Sequence, residues 1–313
     1  MLLMKKLLAI CYCFCSLITA SAQQKTVQER LGYPQDTRLL IIHADDVGVS
    51  QSENAATFFA MEKGSVSSAS IMMPCPWMGD VADYARTHPN LDFGLHLTLT
   101  SEWKNYKWGT VTPVNQATSL LNKNGYLYSS VDSLYKFGRV EEVEKELRAQ
   151  IERAKQFGID PTHLDSHMGS LFASPEYLQI LLKMGRKYNV PVLLNREGFK
   201  VAFNIDLDKY ISDKDVLVDK ILMAEPKDFK SGMDKFYTGV LESLKPGLSC
   251  ILLHAAYDNA EMRAISVEHP DYGAAWRQAD FDFFTSKKCR DLLKKQNIKV
   301  ITWREIRDKL YRN

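Results

Sequence analysis

LLIIHADDVGVS, running from Leu39 to Ser50, decides how the rest of the chain is read. Its four leading apolar residues have the character of a strand buried on both faces, as in a parallel sheet covered by helices. They run straight into His43 and two adjacent carboxylates, Asp45 and Asp46, with Gly48 just beyond. Two negative charges at the end of a core strand cost mutual repulsion and lost hydration. Such a pair calls for either a solvated loop or a positive partner, and a divalent cation is the partner that also favours deprotonated carboxylates and neutral imidazoles.

The chain of 313 residues is 45% hydrophobic and 25% charged, ordinary for a globular protein. A formal net charge of +2 gives no electrostatic case for nucleic acid or a membrane surface as partner. Residues 1–22 combine basic Lys5 and Lys6, a short apolar run and the small-x-small ending Ala20-Ser21-Ala22. That pattern predicts a signal peptide cut after Ala22, and hence a secreted or periplasmic protein. The apolar run falls short of the ~20 residues a span needs, so no stable membrane insertion is expected. Cys11, Cys13 and Cys15 invite a lipoprotein reading, but none follows small residues in the usual arrangement. Beyond the leader, Cys75, Cys250 and Cys289 permit at most one disulfide and have no metal-binding C-x-x-C spacing.

Residues 23–37 read as a lead and 38–313 as one domain, with no repeat or Pro/Gly-rich linker to divide it. SENAATFFAMEKG predicts a helix capped by Ser52 and stopped by Gly64; SVSSASIMM predicts a strand, followed by a helix ending near His88. Apolar residues at 140, 143, 147, 151, 154 and 157 have helical spacing, with Gly158 as stop. Further strands are expected at 190–195, 249–254 and 298–303. Strand–helix units of this length predict an α/β fold, a distorted (β/α) barrel. A doubly wound open sheet is the alternative, but no Gly-x-Gly-x-x-Gly turn follows the first strand. Residues 101–139, rich in Trp, Tyr, Asn and Ser, read as an excursion over the barrel mouth. There Trp103, Tyr106 and Trp108 either stack on a sugar ring or fill an irregular loop.

Three strand ends carry chemistry: His43-Ala44-Asp45-Asp46, His254 after CILL, and DFGLHLTLT, where alternation turns His96 inward. In PTHLDSH, extended backbone places His163, Asp165 and His167 on one side. A lone His or Asp in a strand is usually structural. Several converging on the C-terminal face of a barrel point instead to a site. One carboxylate and two histidines leave coordination positions open, and the second Asp can take a proton from water.

In order, HADDVGVS, GLHLTLTSEW, PTHLDSH and ILLHAAYDNAE resemble the motifs of the YdjC-like (ChbG/HpnK) carbohydrate deacetylases, over roughly residues 38–305. The resemblance implies a distorted (β/α) barrel that removes N-acetyl groups from amino sugars such as chito-oligosaccharides. It implies Asp46, His96 and His167 as ligands of a divalent cation, Mg²⁺ or Zn²⁺, with Asp45 as general base and His254 as general acid. Arg196 falls where a basic residue is expected near the base. His163 is a further ligand candidate or, with His43 and Asp165, a group supporting the ligands. The chain departs from the family at His43, Val47, Met168-Gly169-Ser170 and Ala255, so the metal core carries over better than the sugar pocket.

The expected partner is an acetylated amino sugar or oligosaccharide, and a homodimer stays open. The rivals are another metal hydrolase (O-acetyl esterase, amidase or phosphodiesterase) and an inactive carbohydrate-binding relative. A glycosidase fits less well, because its two carboxylates stand about 5–9 Å apart and Asp45 and Asp46 are neighbours in sequence.

Overall fold

In the computed structural model, which describes residues 25–172 and 174–313, the opening stretch is strand β1 (Arg38–Val47). The expected signal peptide lies outside the described residues. The other strands are β2 (Ser68–Ile71), β3 (Phe93–Leu97), β4 (Leu164–Ser166), β5 (Lys220–Met223), β6 (Gly247–Leu253) and β7 (Ile298–Val300). All pairings between them are parallel, in the order β4-β3-β2-β1-β6-β5, and β7 lies beside the first residues of β1. Backbone hydrogen bonds carry the ring from β4 round to β6 through irregular chain. Leu193 N–H donates to Leu164 O at 2.9 Å, Val218 N–H to Leu194 O at 2.9 Å, and Asp219 N–H to Leu248 O at 2.7 Å. The architecture is the distorted α/β barrel expected, not an open doubly wound sheet.

β1 alternates between two apolar layers. Leu40, Ile42 and Ala44 pack with the helix-side core that includes Phe58 and Ala60. Leu39 and Ile41 instead join Leu248, Cys250, Ile301 and Trp303 in a separate cluster that plugs the barrel. By the same parity His43 and Asp45 point into the barrel, above that plug. The lead closes the bottom: Leu31 of helix Val27–Leu31 belongs to the plug, and Tyr33 donates to Glu305 at 2.8 Å.

Several local expectations shift. Ser50, not Ser52, caps helix Gln51–Lys63, while Ser52 donates to Asn259 Oδ1 at 2.8 Å. The strand expected at 190–195 shrinks to a single bridge, Leu164 with Val192, because Pro191 lacks a donor and Asn195 already caps helix Arg196–Phe203. Trp303 begins helix Trp303–Leu310 instead of ending a strand. Helix Val140–Gln156 and the αL Gly158 beyond it match the reading. The excursion after β3 is packed chain, pinned where Glu146 accepts Val111 and Thr112 N–H at 2.9 Å each. Cys75, Cys250 and Cys289 are all buried and free. Among the described residues no helix is long and apolar enough to cross a membrane.

Candidate metal centre at the barrel rim

Adjacent residues of a strand normally face opposite sides. Asp45 and Asp46 escape that rule because they occupy a bulge: Ala44 pairs with Ala69 but Val47 with Ile71, so β1 spends one residue more than β2. Asp46 takes the left-handed conformation there, φ +66°, and Gly48 follows at φ +97°. Both carboxylates are buried, and they diverge. Asp45 Oδ1 lies 2.9 Å from His43 Nε2 and 3.3 Å from Ser70 Oγ. Asp46 Oδ2 accepts from Arg277 Nη2 at 2.7 Å.

The other oxygen of Asp46 is the informative atom. Oδ1 is buried and has no hydrogen-bond partner. Facing it are His96 Nε2 at 3.5 Å and His167 Nδ1 at 3.4 Å, and the three residues offer ligand atoms all within 4.8 Å of one another. Each imidazole turns its far nitrogen to a carboxylate: His96 Nδ1 to Asp165 Oδ1 at 2.7 Å, His167 Nε2 to Glu102 Oε2 at 3.0 Å. Those partners assign the far nitrogens as N–H donors, so the near ones, once deprotonated, are the nitrogens that offer lone pairs beside Asp46. An imidazole backed by a carboxylate is the arrangement of metal-ligating histidines.

A model of the family described as YdjC-like protein matches residues 39–295. The chain belongs to the YdjC-like family. A carbohydrate deacetylase of Thermus thermophilus is 30% identical over 289 residues, covering 90% of this chain and 98% of that one. A chitooligosaccharide deacetylase of Serratia marcescens is 30% identical over 166 residues, 52% of this chain and 62% of that one. The fold is shared with a crystal structure of a proposed cellobiose-phosphate cleavage protein from Enterococcus faecalis. It has a TM-score of 0.72 and 22% identity, and covers 85% of this chain and 98% of the other.

Within this YdjC-like barrel the protein's own cations already balance the acidic pair. Burial opposes charge on His43, yet hydrogen bonds with Asp165 and Asp45 lift its pKa to about 10. Burial likewise opposes ionisation of Asp46, but Arg277 and His167 hold it well below the carboxylate range. The repulsion between the two carboxylates is therefore not what calls for a dication, as the sequence had suggested. The unpartnered Asp46 Oδ1 and the two backed imidazoles are.

His254 follows β6, its Nε2 3.9 Å from Asp46 Oδ2 and its Nδ1 without a partner. Burial and then Arg277 push its pKa down to about 4, so it is neutral at rest. Asp165 sits between His96 and His43, 3.0 Å from His43 Nε2. His163 is fully buried, stacked on Trp303 at 5.2 Å between ring centroids, with its Nε2 3.8 Å from Asp165 Oδ2, and it groups with His43 and Asp165 but not with Asp46. It also dictates Gly94, where a Cβ would come within 2.2 Å of its ring.

One expectation is corrected, and one alternative left open by the sequence is decided. Arg196 is exposed and pairs with Asp208 at 2.8 Å. It shares a cleft of about 980 Å³ with Gly247 at the start of β6, whereas His254 follows its end, so it is not near Asp45. The basic residue at the acidic pair is instead Arg277 on helix Ala274–Thr285, which contacts Asp46 (2.7 Å) and Glu53 (2.8 Å) and is not paired with Asp45. Trp103 is buried against Tyr106 and Trp108, its ring 5.4 Å from the Arg277 guanidinium, so it offers no open stacking face. Arg277, Glu53 and Glu102 were not singled out from sequence. Glu102 lay inside the quoted GLHLTLTSEW motif, but a loop carboxylate carries no periodicity to mark it.

Proposed function

We propose that this chain is a metal-dependent carbohydrate N-deacetylase, hydrolysing the linear acetamide of an acetylated amino sugar or oligosaccharide to acetate and a free amine. One observation carries the reading: Asp46 Oδ1, buried and unpartnered, faces two carboxylate-backed imidazole nitrogens. A carboxylate and two imidazoles suit Zn²⁺, with Mg²⁺ the alternative. The names of the Thermus and Serratia relatives supply the substrate class.

Bound by Asp46, His96 and His167, the cation would supply polarisation of the amide carbonyl and a more acidic water. Asp45 is the group placed to take that water's proton, since His43 and Ser70 hold its Oδ1 in the bulge beside Asp46. Asp165 fixes the ring of His96. His254 protonates the departing amine, which leaves poorly as an anion. Being neutral at rest, His254 takes up the proton that Asp45 removed from water and hands it to the nitrogen as the C–N bond breaks, so that water's hydrogen ends on the amine and its oxygen on acetate.

The test is product analysis on N-acetylglucosamine oligomers, O-acetylated sugars and phosphodiesters, with Zn²⁺ or Mg²⁺ added. Acetate and amine released in equal amounts from the oligomers support the proposal. Cleavage confined to O-acetyl groups or phosphodiesters would identify a different hydrolase, and no cleavage of any despite bound metal would identify a binding protein.

A further inference from the structure

We infer that Glu102 is a positioning residue that locks His167 in the orientation and tautomer presenting Nδ1 to Asp46, an inference that rests on the metal-dependent reading. Glu102 Oε2 meets His167 Nε2 at 3.0 Å while His167 Nδ1 stands 3.4 Å from Asp46 Oδ1, so the ring is held from both sides. His167 needs that help more than His96 does. His96 is fixed within β3, whereas His167 lies just past β4, in a 3-10 turn where Met168 adopts φ +54°.

The loop carrying Glu102 is itself well anchored. Ser101 N–H donates to Tyr128 O at 2.8 Å, Trp108 N–H to Ser101 Oγ at 3.1 Å, and Trp108 Nε1–H to Thr100 O at 2.8 Å. The next residue, Trp103, lies 5.4 Å from the guanidinium of Arg277, whose Nη2 holds Asp46 Oδ2. The dipeptide Glu102-Trp103 thus braces two of the three candidate ligands from the mouth side. A carboxylate on the far nitrogen fixes which nitrogen carries the lone pair and makes the imidazole a stronger donor to the cation. Glu102 is partly exposed and sits in a loop, so replacing it removes the brace while the barrel core stays intact.

The experiment compares full-length protein with Glu102→Gln and Glu102→Ala. It measures Zn²⁺ affinity by chelator competition, the visible absorption of the Co²⁺-loaded form, and thermal unfolding without metal. Glu102→Ala should weaken Zn²⁺ binding roughly 10–100-fold. Glu102→Gln, keeping an acceptor but not the charge, should fall several-fold short of wild type. The Co²⁺ bands should shift in both, with unfolding of the metal-free proteins unchanged, a combination that a purely loop-holding role would not give. Both variants within twofold of wild type, with unaltered Co²⁺ bands, would overturn the inference. Should Glu102→Ala not fold, the isosteric Gln variant decides by the same criteria. Wild-type protein that takes up neither metal overturns the reading beneath it as well, and is distinguished by failing before any variant is compared.

Discussion

Arg277 and Asp46, 231 positions apart in the chain, form a buried ion pair in which Nη2 donates to Oδ2 at 2.7 Å. The same guanidinium gives Nη1 to Glu53 at 2.8 Å and Nε to the Tyr272 carbonyl at 2.7 Å, so one cation serves two buried carboxylates. Tying up Oδ2 leaves Oδ1 alone to face the imidazoles, which restricts Asp46 to one oxygen as a ligand.

Arg277→Met should therefore destabilise the fold by about 3–5 kcal/mol in urea unfolding, since removing the guanidinium leaves the Asp46 carboxylate buried without its main compensating charge. A loss below about 1 kcal/mol would show that the pair contributes little to the fold.

Glu53 gives the pH dependence its sign. Burial lifts its pKa to about 8 despite Arg277, from an ordinary 4.5. The folded state therefore holds a proton that the unfolded chain releases first, and this group's contribution to stability is greatest below pH 4.5. It declines as pH rises towards 8. Glu53→Gln should remove that decline, gaining on wild type progressively between pH 4.5 and 8 in urea titrations. A constant difference across that range would contradict the assignment.

Cation binding should release protons. His167 is lifted to about 10, burial being outweighed by Glu102 and Asp46, and His96 is raised by Asp165 and Asp45 against burial. A cation must displace protons from these rings, so affinity should rise with pH through the neutral range. Titration calorimetry with Zn²⁺ in two buffers of different ionisation enthalpy should give different observed heats. Equal heats would mean that the imidazoles bind no proton to lose.

Asp45→Asn should retain the cation yet lose about 10²–10⁴-fold in turnover, the usual range for a general base. Near-wild-type turnover would remove Asp45 from the mechanism.

Gly94→Ala tests the layer beneath the site. A Cβ there would stand 2.2 Å from the His163 ring, which cannot retreat because it stacks on Trp303. A cost of about 1–3 kcal/mol is expected. A neutral substitution would mean that the His163–Trp303 stack yields freely.

Much of this was legible in the sequence where periodicity carries it. Alternation turned His96 inward, and the apolar strands with their spacing announced a parallel barrel. The Asp45-Asp46 pair announced a site, but the bulge that sends the two side chains to different partners leaves no signal in residue type. Arg277 could not be found because a buried arginine on a helix looks like any surface arginine until its partners are known. Arg196 misled for the converse reason: it follows the apolar run VLLN, but that run makes only one bridge. The helix that starts at Arg196 then leaves the side chain in the cleft beside Gly247. The aromatic residues of the 101–139 excursion left sugar stacking and loop packing open from sequence, and Trp103 and Trp108 turn out to be packing.

The most direct test of the central claim is anomalous diffraction at the zinc absorption edge from crystals of protein loaded with one equivalent of Zn²⁺. The account predicts a single strong peak within bonding distance of Asp46 Oδ1, His96 Nε2 and His167 Nδ1, absent in His167→Ala. A peak elsewhere, or none there in protein that still releases acetate from N-acetylglucosamine oligomers, would contradict it.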